Sequence, residues 1–296
     1  MARVTLSGHG YWVAVDPEYG ANLTGMTWRD RPGSEIDILR ACADEDLVPG
    51  APSPVGCFPM APFANRIDGG TFPFAGQVHV VPINRPEENV AIHGLSRFES
   101  FRIVLQTDLA VRLLHPYRGD SFAYDLLQEI SIDPSGVSLS LTLVNRGRPM
   151  PFGIGLHPYF VREAGARLCF GASVRSQAEE RHLPVRFIAA QSGPPFSSGA
   201  ALEGLDGFDA HYSGWKPRRA VLERPEARIA MTMSAEGAFS NLHVYVPPGG
   251  SLVCIEPVSH VPNVHNRTTL SRFGKLSVLE TGGTLSGRMH LCVTPL

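Results

Sequence analysis

Short stretches in which apolar residues alternate with small or polar ones, closed by Gly- or Pro-containing turns, recur along the whole of this chain. VSLSLTLVN (137–145), ARIAMTMSA (227–235), LHVYV (242–246) and MHLCVTP (289–295) all follow the pattern. Successive side chains of a β-strand point to opposite faces, so a period of two predicts strands with one face against a core. Turn signals lie between them: DPSG at 133–136, PPGG at 247–250 and TGG at 281–283. The 30 glycines and 25 prolines suit many short strands better than helices. The best helical candidate is short, over 34–47. A Gly/Pro/Ser-rich stretch at 189–207 reads as a surface excursion, because the alternation resumes after it. The pattern therefore predicts an all-β fold, one domain over 1–296 built as a large antiparallel β-sandwich.

Composition narrows the function. Apolar residues make up 43%, enough for a sizeable core. A net charge of −2 without a basic run argues against nucleic acid or an anionic membrane as partner. The five cysteines are odd in number and form no C-x-x-C pair, which suggests neither a disulfide framework nor a thiolate zinc site. The first residues, MARVTLSGHGYWVAV, lack the continuous apolar segment of a signal peptide. A cytoplasmic protein is expected, a monomer or homodimer, with no cofactor and no metal.

Four segments place ionisable groups beside turn-forming or aromatic residues. PMAPFANRIDGGTF holds Asn65 and Arg66, NVAIHGLSR holds His93, FGIGLHPYF holds His157, and VCIEPVSHVPNVHN holds Glu256. Taken singly, each histidine reads as a packed structural residue and Arg66 as a surface charge. Glu256 is different, because a carboxylate that ends an apolar run needs a partner or a raised pKa. Together, one carboxylate, two histidines and an Arg–Asn pair suit proton transfer on a neutral, polyhydroxylated substrate.

In this order the segments resemble the aldose 1-epimerase (galactose mutarotase-like) family. FANRIDGGTF is similar to its Asn-Arg segment, AIHGL and LHPYF to its two histidine motifs, and IEPVSHVPNVHN to its Glu-Pro segment. YGANLTGMTW (19–28) and FDAHYSGW (208–215) extend the likeness over roughly residues 20 to 266. The resemblance implies a large antiparallel β-sandwich with an open groove, and mutarotation of a free aldohexose. It implies Glu256 as general base and His157 as general acid. His93 and Arg66 would hold hydroxyls or stabilise charge at the ring oxygen, Asp209 would bind hydroxyls, and Asn65 would support the same face. Phe63, Tyr159 and Trp215 are candidates to stack on the sugar.

The sequence departs from the galactose enzymes in the lead-in GIGLHPYF and in VSHVPN, which leaves the preferred sugar open. Three rival readings follow from the residues. A hexose 6-phosphate site would draw on Arg97 and Arg102, which flank the His93 segment. A cupin-type metal enzyme would want His-x-His, which is absent; His260 and His265, five apart, read as incidental. A non-catalytic sugar-binding module would have no need of Glu256 and both histidines.

Overall fold

The computed structural model describes residues 3–31, 33–48 and 51–296. Two large antiparallel sheets of eleven and nine strands dominate it, with three two-stranded ribbons beside them. The alternation seen in sequence sets burial directly. Along Ala123–Asp133 every second residue is buried, and Gly136–Asn145 and Thr284–Pro295 behave similarly where they pair. Thr284–Pro295 also pairs with Ile229–Gly237, joining the end of the chain to the centre of the nine-stranded sheet. Inward-facing residues of both sheets, among them Val13, Leu23, Leu139, Leu156, Ile255 and Leu291, form one apolar cluster. Burying each such side chain is worth about 1.5–3 kcal/mol, so the two-residue period is strongly enforced.

Two expectations need correction. Residues 34–47 do not form a helix. Ile36–Leu39 is a strand paired with Asn22–Trp28, and only Asp44–Asp46 makes a 3-10 turn. Two β-branched isoleucines in four residues favour the extended form, and Ile38 and Leu39 are buried there. The excursion at 189–207 is not wholly superficial either. Phe196 is buried and stacks on Phe170 at 4.8 Å, and Ala200–Ala201 is the last strand of the nine-stranded sheet, paired with Arg167–Phe170. Among the described residues no helix is long and apolar enough to cross a membrane, and all five cysteines are free thiols.

The eleven-stranded sheet positions the chemistry. Gly155–Val161, Leu252–Val258, Asn241–Tyr245 and Asp209–Ser213 are neighbours in that order, with Cys57–Met60 on the far side of Gly155–Val161. Leu156, Ile255, Leu242 and Ala210 face the shared core. The residues that alternate with them must therefore face the other way, and they include His157, Glu256, His243 and Asp209.

Candidate active site

Strand register lines these residues up. Phe58 pairs with His157, His243 with Glu256, and His211 with His243. Gly155 pairs with Val258 and Tyr159 with Cys254, which puts His157 opposite Glu256 between them. Phe58, His157, Glu256, His243 and His211 thus form one rung across five strands, on the face turned away from the core. The next rung carries Tyr159, Cys254, Tyr245 and Asp209. Gly155 permits the close approach of strands beside His157. A Cβ there would lie 2.6 Å from Met60 Cε and 2.8 Å from Val258 Cγ1.

His157 Nε2 lies 3.2 Å from Glu256 Oε1, and both side chains are almost fully buried. The imidazole is clamped between Phe58, stacked at 4.6 Å, and Tyr159, stacked at 4.7 Å. Burial pushes the Glu256 carboxyl up to about 7; the nearby His243 charge opposes that and Asp209 adds to it. Burial also drives His157 and His93 well below the usual histidine range, with neighbouring cations reinforcing the effect. Asp209 goes the opposite way. Burial would raise it, but His243 at 2.7 Å, with Arg66 and His182, brings it down to about 2. Burial would likewise lower His243, but Asp209 and Glu256 outweigh it and leave it raised. The site therefore holds an ionised Asp209, favours the protonated form of His243, and leaves Glu256 poised near neutrality to gain or lose a proton. Two carboxylates on one side of a sheet are pushed to opposite ends of the scale.

The Asn65–Arg66 and His93 segments come together as a ribbon. Arg66–Asp68 pairs with Val90–Ile92, and the His93 amide donates to the Asn65 carbonyl at 3.0 Å. Asn65 has a positive φ of 56°, and its Oδ1 accepts from the Arg66 amide at 2.9 Å and from Nη1 at 3.4 Å. Arg66 bonds Glu88 at 2.7 Å and approaches Asp209 at 3.9 Å. The loop after Glu256 supports this ribbon from behind. His260 Nε2 accepts from the Ala64 amide, the Asn263 amide donates to the Arg66 carbonyl, and Asn263 Oδ1 accepts from the Asp68 amide. His260 and His265 are both buried, so that pair is a structural prop. Gly94, at φ +82°, lets the chain turn against the backbone of Ala61, whose N would lie 2.7 Å from any Cβ added there.

These groups line an open cleft of about 1010 Å³, large enough for a monosaccharide with room to spare. Asn65, Arg66, His93, His157, Tyr159, Asp209 and Glu256, all singled out from sequence, share it. Phe63 and Trp215 do not line it. Both are fully buried in the core, and the Trp215 indole donates to the Arg219 carbonyl. Arg102 is also elsewhere, exposed on the strand Arg102–Gln106 at one end of the nine-stranded sheet. The sequence reading missed His243, His182, Glu88 and Arg40. For His243 a usable signal existed. A hairpin closed by the PPGG turn at 247–250 sets residue 243 opposite residue 256.

Among the described residues one set of donors could hold a metal ion: His157, Cys254 and Glu256 offer ligand atoms within 4.8 Å of one another. Burial raises the Cys254 thiol well above its usual range, with Glu256 adding to the effect.

Comparison with known proteins agrees with the geometry. The family profile of aldose 1-epimerase matches residues 2–292. The uncharacterized protein YphB of Escherichia coli K12 is 25% identical, covering 99% of this chain and 99% of its own. Among crystal structures, a provisionally assigned aldose 1-epimerase from Escherichia coli K12 superposes with a TM-score of 0.87 at 25% identity, over 100% of this chain and 99% of that one. A galactose mutarotase-like protein from Clostridium acetobutylicum gives 0.85 at 19% identity, over 99% and 95%.

Proposed function

The chain belongs to the aldose 1-epimerase family, and from that premise we propose that it interconverts the α- and β-anomers of an aldohexose by acid–base ring opening and closure. The observation that carries this reading is the buried contact of His157 with Glu256 at 3.2 Å on the floor of the cleft, with Glu256 pushed up to about 7.

Mutarotation removes a proton from the anomeric hydroxyl and adds one to the ring oxygen, so the enzyme must accept and donate one proton in the same step. A carboxyl–imidazole pair that shares one proton does this in balance: burial keeps that proton on Glu256 at rest, and its passage to His157 across their 3.2 Å contact arms both groups. Glu256 takes the anomeric proton, His157 gives its own to the ring oxygen, and the C1–O5 bond breaks. That leaves a carboxylic acid, a neutral imidazole and the open aldehyde. The C1–C2 bond rotates, and closure on the other face runs the transfers backwards. The pair thus carries one proton throughout and passes it across the substrate. Glu256 Oε2, buried and without a protein partner among the described residues, is free to receive the anomeric proton. Arg66, Asp209 and His93 hold hydroxyls around the ring, Asn65 fixes Arg66, and Tyr159 supports both the imidazole and one side of the sugar.

The test is polarimetry or NMR of freshly dissolved α-D-glucose and α-D-galactose. His157→Ala and Glu256→Gln should each lower catalysed mutarotation by about 10²- to 10⁴-fold, with circular dichroism unchanged. Full activity in folded variants would refute the assignment.

A further inference from the structure

The cleft contains more positive charge than its own carboxylates neutralise. Arg66 is matched by Glu88 and Asp209, Arg85 by Glu87 and Glu88, and His243 by Asp209. Two arginines that line the same cleft, Arg40 and Arg97, have no acidic partner among the described residues. Arg40 gives Nε and Nη2 to the Val55 carbonyl at 3.1 and 2.6 Å, which leaves Nη1 uncommitted. The Arg97 guanidinium makes no hydrogen bond to a described residue, and its Nε is buried without a partner.

Their placement is specific. The Arg97 guanidinium lies 3.8 Å over the Phe58 ring, and that of Arg40 lies 3.9 Å over the Tyr159 ring. Those two rings sandwich His157. Both cations also act on the Tyr159 hydroxyl, opposing the rise that burial gives it. Arg97 itself is brought down to about 10, first by burial and then by repulsion from Arg85 and Arg40. Partly buried like charges side by side are unfavourable unless an anion joins them. Stacked guanidinium groups with free N–H ends match the oxygens of a phosphate or carboxylate.

We infer that the aldose carries an anionic group on its exocyclic carbon C6, and that Arg40 and Arg97 hold that group. The inference rests on the mutarotase reading above, because it uses His157 to locate the ring oxygen. C6 is two bonds from that oxygen, so a group on C6 falls beside the donor that protonates it. An anion on C1 is ruled out by the reaction itself, which needs a free anomeric hydroxyl. A phosphate ester and a C6 carboxylate share the required chemistry, and the substrates tested separate them.

The experiment measures kcat/KM for mutarotation of glucose, glucose 6-phosphate and glucuronate by the full-length protein and by Arg40→Gln, Arg97→Gln and Arg102→Gln. At least one anionic sugar should exceed glucose by about tenfold or more, and Arg40→Gln and Arg97→Gln should erase most of that ratio. Arg102→Gln should leave it unchanged. Using the ratio removes the effect of partial misfolding, which lowers all three substrates alike. Calorimetric binding of glucose 6-phosphate, glucuronate and glucose is read in parallel. Glucose turned over as well as both anions, or a ratio unaltered in Arg40→Gln and Arg97→Gln, overturns the inference and leaves the mutarotase reading standing. Arginine-dependent binding of an anionic sugar without acceleration of any substrate overturns the mutarotase reading and keeps the anion site. Neither binding nor turnover overturns both.

Discussion

Replacing Glu256 with glutamine should lower turnover by about 10²- to 10⁴-fold and also make the protein more stable at alkaline pH. The carboxyl sits near 4.5 in the unfolded chain and at about 7 in the folded one, chiefly because burial disfavours its charge. Between those values the folded state binds a proton that the unfolded state has lost, so stability falls as pH rises through this window. The deficit is fully developed above pH 7. A shift of about 2.5 units corresponds to about 3 kcal/mol at pH 8, and to about 1 kcal/mol at pH 5. Glutamine has nearly the same shape, keeps an oxygen within reach of His157, and never ionises. For a chain of this size about 3 kcal/mol is a rise of roughly 5 °C in Tm. Thermal melts of both proteins from pH 5 to 8 should therefore diverge steadily, with the variant higher. A gap that stays constant with pH, or a wild-type protein that is the more stable at pH 8, would refute the assignment of a strained ionisation to Glu256.

The same group sets the activity profile: because the catalytic pair must hold one proton, kcat/KM should decline by about tenfold per unit above pH 7 as Glu256 loses its own. A flat profile to pH 9 would contradict the one-proton pair. His243 lowers Glu256 by its charge, so His243→Gln should move that limb to higher pH, which pH-rate profiles of the two proteins will reveal. Gly94→Ala forces a Cβ into the backbone of Ala61 at a positive φ and should destabilise by at least about 2 kcal/mol; an unaltered urea midpoint would show that the turn can relax.

Much of this was legible in the sequence, for identifiable reasons. Strand period is a local property, and so the sheets could be read from VSLSLTLVN or MHLCVTP alone. Glu256 stood out because a carboxylate at the end of LVCI has no benign explanation. By contrast, 34–47 misled because its charged residues mask two isoleucines that satisfy a strand. Phe63 and Trp215 misled because an aromatic residue looks the same whether it meets a sugar or a core. His243 was overlooked in LHVYV, where it occupies an ordinary polar phase. Its significance lies in what faces it across the hairpin, and pairing between strands is only indirectly encoded. Arg40 is harder still. Nothing near ILRAC relates it to Tyr159, more than a hundred residues away, and only the folded sheet brings the two together.

The rung from Phe58 to His211 has a consequence for how such a protein can diversify. Its proton-handling groups are fixed on interior strands by backbone pairing, and substitutions that shift one would disturb its neighbours on either side. Arg85 and His182 reach the same cleft from outside those strands, between Gln77–Val80 and Val90–Ile92 and between Val174–Ala178 and Pro184–Ala189, as does Arg97 from beyond Val90–Ile92. Rim and floor can therefore be rewritten independently. A lineage could change its choice of sugar by editing three turns while inheriting the reaction intact, and a laboratory selection should find its productive mutations in those turns.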